Sequence, residues 1–218
     1  FAASLLRAGG HTFQPTLNWY GDFSPVLGLL VPVLSVLLIV SGLLMGKKSA
    51  LADFLAIQKH PGRLPSDFMD MNSIGGALVN SGIIGLLFSA YVFLIGADFN
   101  GPVIGGLFTI MGFAAFGTHV RNSWPVFLGV VSSTLAFGMS LTSPGPVLAA
   151  IFGTTLSPIA GQFGPLAGFV AGFVHLVMVS FTGSWHGAMN LYNNGFAGGL
   201  TATLLIAVFQ WYNNNKIE

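Results

Sequence analysis

The chain is 218 residues long, 53% hydrophobic and only 6% charged, with a net charge of +1; a water-soluble domain solvates its surface with about 25% charged residues. A mean hydropathy of +0.79 points instead to an all-α fold, a polytopic bundle of transmembrane helices whose main solvent is lipid. The near-neutral charge argues against a nucleic-acid partner, and the absence of cysteine excludes disulfide scaffolds, thiolate zinc sites and thiol nucleophiles.

Residues 1–22, with Arg7, His11 and Asp22, read as a loop or the end of a helix from a longer protein. The single transmembrane domain, 1–218, is accordingly expected to be the C-terminal part of that protein. Residues 23–46 form a first span, long enough for a hydrocarbon core of about 30 Å, with a kink predicted at Pro32. The loop 47–72 holds Lys47, Lys48, Lys59 and Arg63, four of the seven basic residues. The positive-inside rule places it in the cytoplasm, and the membrane is expected to be a bacterial inner (plasma) membrane. Within it, 51–58 predicts a short interfacial helix that stops at Pro61 and Gly62.

A second span, 73–97, carries Gly75, Gly76, Gly82 and Gly85, small residues that let helices approach closely. A turn at 98–102 leads into a short apolar segment, 103–117. His119 and Arg121 fall in the next loop, and a third span, 124–141, opens on the interfacial residue Trp124. A turn at 143–146 and an apolar run at 147–152 precede residues 153–164, which are polar and glycine-rich. Such a stretch is either an outer loop or re-entrant backbone lining a cavity. Spans at 165–185 and 196–212 follow, and the polar tail 213–218 reads as the C-terminus.

One internal match bears on function. Residues 99–107 align without a gap to 192–200, each reading aromatic, Asn, then Gly-Gly-Leu at the end, at an offset of 93 that also pairs Gly75 with Gly168. Paired helix interruptions are the usual sequence pointer to a transporter's solute site. An interrupted helix frees backbone groups that must be met inside the protein, and asparagine amides with adjacent glycines suit that task. The candidate solute-binding residues are therefore Phe99, Asn100, Gly101, Gly105 and Gly106 in the first copy. Tyr192, Asn193, Asn194, Gly198 and Gly199 are their counterparts in the second. The two asparagines are expected to converge on a common cavity near the midplane. Two surface turns with Asn-Gly chemistry are the plain alternative.

His175 joins the candidates because it shares a helix face with His186, eleven residues on, and ionisable groups at membrane depth face a bundle interior or a wet cavity. Packing against a neighbouring carbonyl is the alternative. Asp98 suits a helix cap, and Thr154, Thr155, Ser157 and Gln162 suit a selectivity segment or a solvated loop. No HExxH, phosphate loop or GxSxG motif is present, and no metal or cofactor is called for.

The strings 100–109, 112–119, 152–164 and 191–199 resemble an uncharacterised bacterial family of polytopic membrane proteins, a domain of unknown function, over roughly the last two thirds of the chain. A weaker similarity runs to urea-transporter-type channels, whose pore elements pair an Asn-Pro segment with a Tyr-Asn segment. Here Gly101 separates Asn100 from Pro102. That resemblance implies that Asn100 and Asn193 offer carbonyl oxygens to a solute amide between Phe99, Phe108 and Tyr192. The expected function is a channel or secondary transporter for a small polar solute. The alternatives are a structural or accessory subunit, and an intramembrane enzyme. Expected partners are the lipid bilayer, the solute, and either further copies of the chain or a missing N-terminal half.

Overall fold

The computed structural model describes residues 25–63, 66–186 and 190–215. All regular structure among them is helical: α1 (Pro25–Gly46), α2 (Ala50–Ile57), α3 (Phe68–Met71), α4 (Ile74–Leu94), α5 (Gly101–Phe113), α6 (Val120–Ala136), α7 (Pro144–Phe152), a 3₁₀ turn (Gly153–Leu156), α8 (Ser157–Phe163), α9 (Pro165–His186) and α10 (Asn190–Asn214). Five stretches, 28–46, 74–94, 144–163, 165–186 and 191–214, are long and apolar enough to cross a membrane. The reading of 1–22 and of the last three residues of the tail lies outside the described residues.

Side-chain caps set three of the helix starts, at α3, α4 and α5. Ser73 caps α4 by accepting the Gly76 N–H at 3.0 Å, and its own hydroxyl donates to Asp53 at 2.6 Å. Asn100 caps α5 by accepting the Val103 N–H at 3.0 Å, with Pro102 in the first turn, where its missing N–H costs nothing. The ends of α4 and of α8 are marked by Gly96 and Gly164, both with positive φ. Pro32 lies inside α1 without ending it.

Contacts along the helices give their directions. At one end of the bundle, here the near end, Asn80 at the start of α4 donates to the carbonyls of Ala114 and Thr118, just past the end of α5. At the far end the Phe93 and Phe99 rings pack at a tilt with centroids 4.5 Å apart, so α5 returns antiparallel to α4. From the near end α6 runs out, α7 to α8 runs back, α9 runs out beside α6, and α10 returns. α1 and α10 are peripheral, with only 22% of their span windows buried, whereas 144–163 is central at 67%. The outer face of α1, including Leu29, Val33, Leu37 and Leu44, is exposed and suited to lipid.

Lipid offers no hydrophobic drive between helices, so close packing must come from small residues. A Cβ on Gly172 of α9 would overlap the Val126 carbonyl of α6, and one on Gly129 would overlap the Phe169 carbonyl. In the other helix pair, a Cβ on Gly42 would lie 2.6 Å from the Gly75 carbonyl.

At the 93-residue offset the order of helices repeats, α1 and α4 corresponding to α6 and α9, but the packing does not. Gly42 meets Gly75 and Ser35 meets Gly82, an antiparallel pair, whereas Pro125 meets Gly168 and Val130 meets Gly172, a parallel one. Two further readings are corrected. Residues 153–164 are not an outer loop: they form the 3₁₀ turn and α8, a break in helical geometry within the stretch 144–163 that is long and apolar enough to cross a membrane. The last helix begins at Asn190 rather than at 196.

Gly172→Ala should destabilise the protein by about 1–3 kcal/mol through overpacking against backbone. Gly112→Ala, with nothing within 4 Å of its Cβ, should be neutral or slightly stabilising. Thermal unfolding of both variants in detergent checks the contrast.

Candidate functional site

Three chain breaks meet at the near end: Pro61 and Gly62 after α2, residues 114–119 between α5 and α6, and Gly164 between α8 and α9. Gly62 (φ 71°) and Gly117 (φ 119°) take conformations that favour glycine. Each approaches the other so closely that a Cβ on either would strike the opposite carbonyl. Buried side chains satisfy the broken backbone. Asn122 donates to the Gly117 carbonyl at 2.8 Å and accepts the His119 N–H at 2.9 Å. Gln58 donates to Asn80 at 3.0 Å, and His119 donates Nε2–H to the His60 carbonyl at 2.9 Å. Burial holds the His119 imidazole below its ordinary pKa. The His60 carbonyl bond opposes that shift, and electrostatic interaction with the His60 ring and the Arg121 guanidinium reinforces it. Gln58, Lys59, His60, His119, Arg121 and Asn122 line a cleft of about 320 Å³ here.

From this junction polar groups continue into the bundle. The Thr118 hydroxyl reaches the Thr154 carbonyl in the 3₁₀ turn at 3.4 Å. A Cβ on Gly153, in the same turn, would lie 3.1 Å from the His175 ring. His175, fully buried, donates Nε2–H to Asn194 at 3.3 Å. The neighbouring Asn193 takes part in three bonds. Its Oδ1 lies 2.8 Å from the Thr182 hydroxyl and accepts Nε2–H of His186 at 2.9 Å, while its Nδ2 donates to the Val179 carbonyl at 2.9 Å. A trail of buried polar side chains, in separate hydrogen-bonded groups, is thus spread from near end to far end.

Several atoms in the bundle interior are buried without a hydrogen-bond partner: Nδ1 of His119, His175 and His186, and the hydroxyls of Ser133 and Thr201. All three rings use Nε2–H on an oxygen acceptor, so in the neutral ring each Nδ1 is an open acceptor. Among the described residues no group of three His, Asp or Glu side chains is placed to hold a metal ion.

The sequence candidates divide between two places. His175, Asn193, Asn194 and Gly198 lie on the trail, and a Cβ on Gly198 would lie 3.9 Å from the His175 ring. Tyr192 is half-exposed and sets its ring edge-on to His186, 5.0 Å away. Gly199 has nothing within 4 Å. The first copy lies apart: Phe99 is in an apolar core with Phe88, Val92 and Val103, and Asn100 spends its side-chain oxygen on the cap. Gly101 opens α5, Gly105 admits Leu191, and Gly106 faces Leu148 and Ile151.

The two segments are therefore neighbours at the far end, yet they are not equivalent. Asn100 sits at a helix break, whereas Asn193 sits inside α10, because partners from α9 occupy its amide and leave nothing to cap. None of four clefts on the described residues is lined by Asn100 or Asn193. Sequence reasoning passed over Gln58, Asn80, Thr118, Asn122 and Thr182. Asn80 carried a usable signal, an amide in the middle of an apolar span.

Residues 46–211 match the family described as "Protein of unknown function (DUF1576)", and the chain belongs to it. Comparison with curated proteins and with solved structures gives no match.

Two predictions follow from this geometry. Asn193→Leu strands buried partners, each costing about 1–3 kcal/mol, and should destabilise more than Asn100→Ala, a cap loss of about 1 kcal/mol; denaturation midpoints rank the two. His119, with its folded pKa depressed, contributes stability that is full above the ordinary imidazole pKa. That contribution falls as pH drops through that value toward the folded one, so wild type should lose more stability on acidification than His119→Gln, by thermal unfolding at two pH values.

Proposed function

We propose that this chain is the membrane-embedded body of a channel or secondary transporter for a small polar solute, and that the trail of buried polar groups is its path. The observation that carries this reading is the spread of buried polar groups along the bundle, from Asn80, Thr118 and Thr154 toward the near end to the His175–Asn194 and Asn193–His186 pairs toward the far end. Polar groups in a bilayer are costly, and they are concentrated where a substrate or ion passes. A trail that served only packing would have each atom paired. Here Ser133, His175, His186 and Thr201 keep unpartnered atoms in the bundle interior. The open Nδ1 acceptors suit a solute that brings N–H or O–H donors. The 3₁₀ turn at 153–156, a departure from α-helical geometry inside a crossing, supplies a hinge at the centre of the path.

In this reading the near end, which carries the basic loop 47–72, faces the cytoplasm of a plasma membrane. The second copy of the Asn-Gly motif lines the far part of the path, while the first holds α5 in place.

The test combines flux with accessibility. Wild type in proteoliposomes is screened for uptake of urea, small amides, ammonium, carboxylates and sugars. The chain has no cysteine, so Ser133→Cys and Thr201→Cys each supply a single reporter for a small hydrophilic thiol reagent. Flux of at least one solute, together with labelling at both positions that the solute slows, is the expected outcome. Val31→Cys, in an apolar core, should stay unlabelled. Absence of flux with neither reporter labelled would sink the transport reading.

A further inference from the structure

The near-end cleft has a character that the trail does not. Its walls carry Lys59, His60, His119 and Arg121 beside the amides of Gln58 and Asn122, and no Asp or Glu. Lys59 and Arg121 are exposed and form no ion pair among the described residues. The nearest acid in sequence is otherwise engaged: Asp53 accepts from Ser73. Asp67, further along the loop, caps α3 by accepting the Met69 N–H at 2.9 Å.

Two long helices also begin at this cleft. α6 starts at Val120, directly after His119, and α9 starts at Pro165, which lines the opposite wall. Each helix start contributes partial positive charge and unpaired N–H groups. Like charges gathered in one concave site repel one another, and an anion removes that repulsion.

We propose that this cleft is a binding site for a small oxyanion, a phosphate or carboxylate group, held by Lys59 and Arg121 and backed by the starts of α6 and α9. A volume of about 320 Å³ admits such a group with water around it. Arg121 can engage two oxygens through its planar fork, and Lys59 supplies a point charge. The same chemistry is presented by a free anion and by the phosphate of a lipid headgroup. The site goes beyond the transport reading and does not depend on it, since occupancy is measured where no flux occurs.

The protein is reconstituted in nanodiscs of phosphatidylcholine alone, and binding of radiolabelled inorganic phosphate is measured at low ionic strength. Wild type should bind saturably, with affinity that weakens as salt is raised. The double variant Lys59→Gln, Arg121→Gln should bind at least tenfold more weakly. Both side chains are exposed, so folding should survive, and an unchanged melting temperature checks this. Lys47→Gln, Lys48→Gln removes the same charge outside the cleft and should bind as wild type does.

Adding phosphatidylglycerol to the nanodiscs separates the two sources. Loss of phosphate binding identifies a lipid headgroup as occupant, and undiminished binding identifies a free anion. The proposal is overturned if wild type neither binds phosphate nor enriches phosphatidylglycerol relative to the Lys59, Arg121 variant. It is also overturned if the Lys47, Lys48 control loses as much binding.

Discussion

The constraint on which this structure depends is that hydrocarbon satisfies no hydrogen bond. Each polar group at depth must find its partner within the protein, at a cost of several kcal/mol if it does not. In a bundle whose helices break repeatedly, that requirement decides where amide and imidazole side chains stand. Asn80 binds the carbonyls freed where α5 ends, and Asn122 binds the one at Gly117. His119 closes the break after α2. These side chains take the place that water would have in a soluble protein.

The same constraint separates two classes of polar group. Asn80, Asn122 and Asn193 are tied to named partners and act as struts. Ser133, Thr201 and the Nδ1 atoms of three histidines have none, although a fully apolar side chain would fit a purely structural role at lower cost. The transport reading rests on this contrast. It also rests on where the struts leave off, since His175 sits beside the 3₁₀ turn, where the backbone is least regular.

Packing follows a second rule set by the solvent. With no hydrophobic drive between helices, contact depends on how near the backbones come. α6 and α9 meet through Gly129 and Gly172, and α1 and α4 through Gly42 and Gly75. Between them these pairs fix the near-end junction, because α4 and α6 carry Asn80 and Asn122 and α9 begins at the cleft wall. Charge at that end is one-sided for a related reason: Asp53 and Asp67 of the loop are used as partner and cap, while Lys59 and Arg121 form no ion pair among the described residues.

Composition and hydropathy by themselves determined the class of this protein, the apolar helices that cover 28–46, 74–94 and 165–186, and a short helix near 51–58. These properties are additive along a chain, set by length and by the cost of placing charge in lipid. The turn before α5 was legible, and His175 as an interior group, because a turn signal and a lone ionisable residue are local facts; the cap itself falls on Asn100 and not on Asp98, where the sequence pointed. The role of Asn193 was not. The same Asn-Gly string caps a helix in one place and sits inside a helix in the other, and the difference comes from Thr182, His186 and Val179 on the facing helix. For 153–164 the sequence left an outer loop and interior backbone both open, because a polar string fits either until neighbours such as Thr118 surround it. Which polar residues joined into one trail was left to tertiary structure, since a hydrogen bond between helices depends on their direction and rotation, and neither is written in the order of residues along one of them.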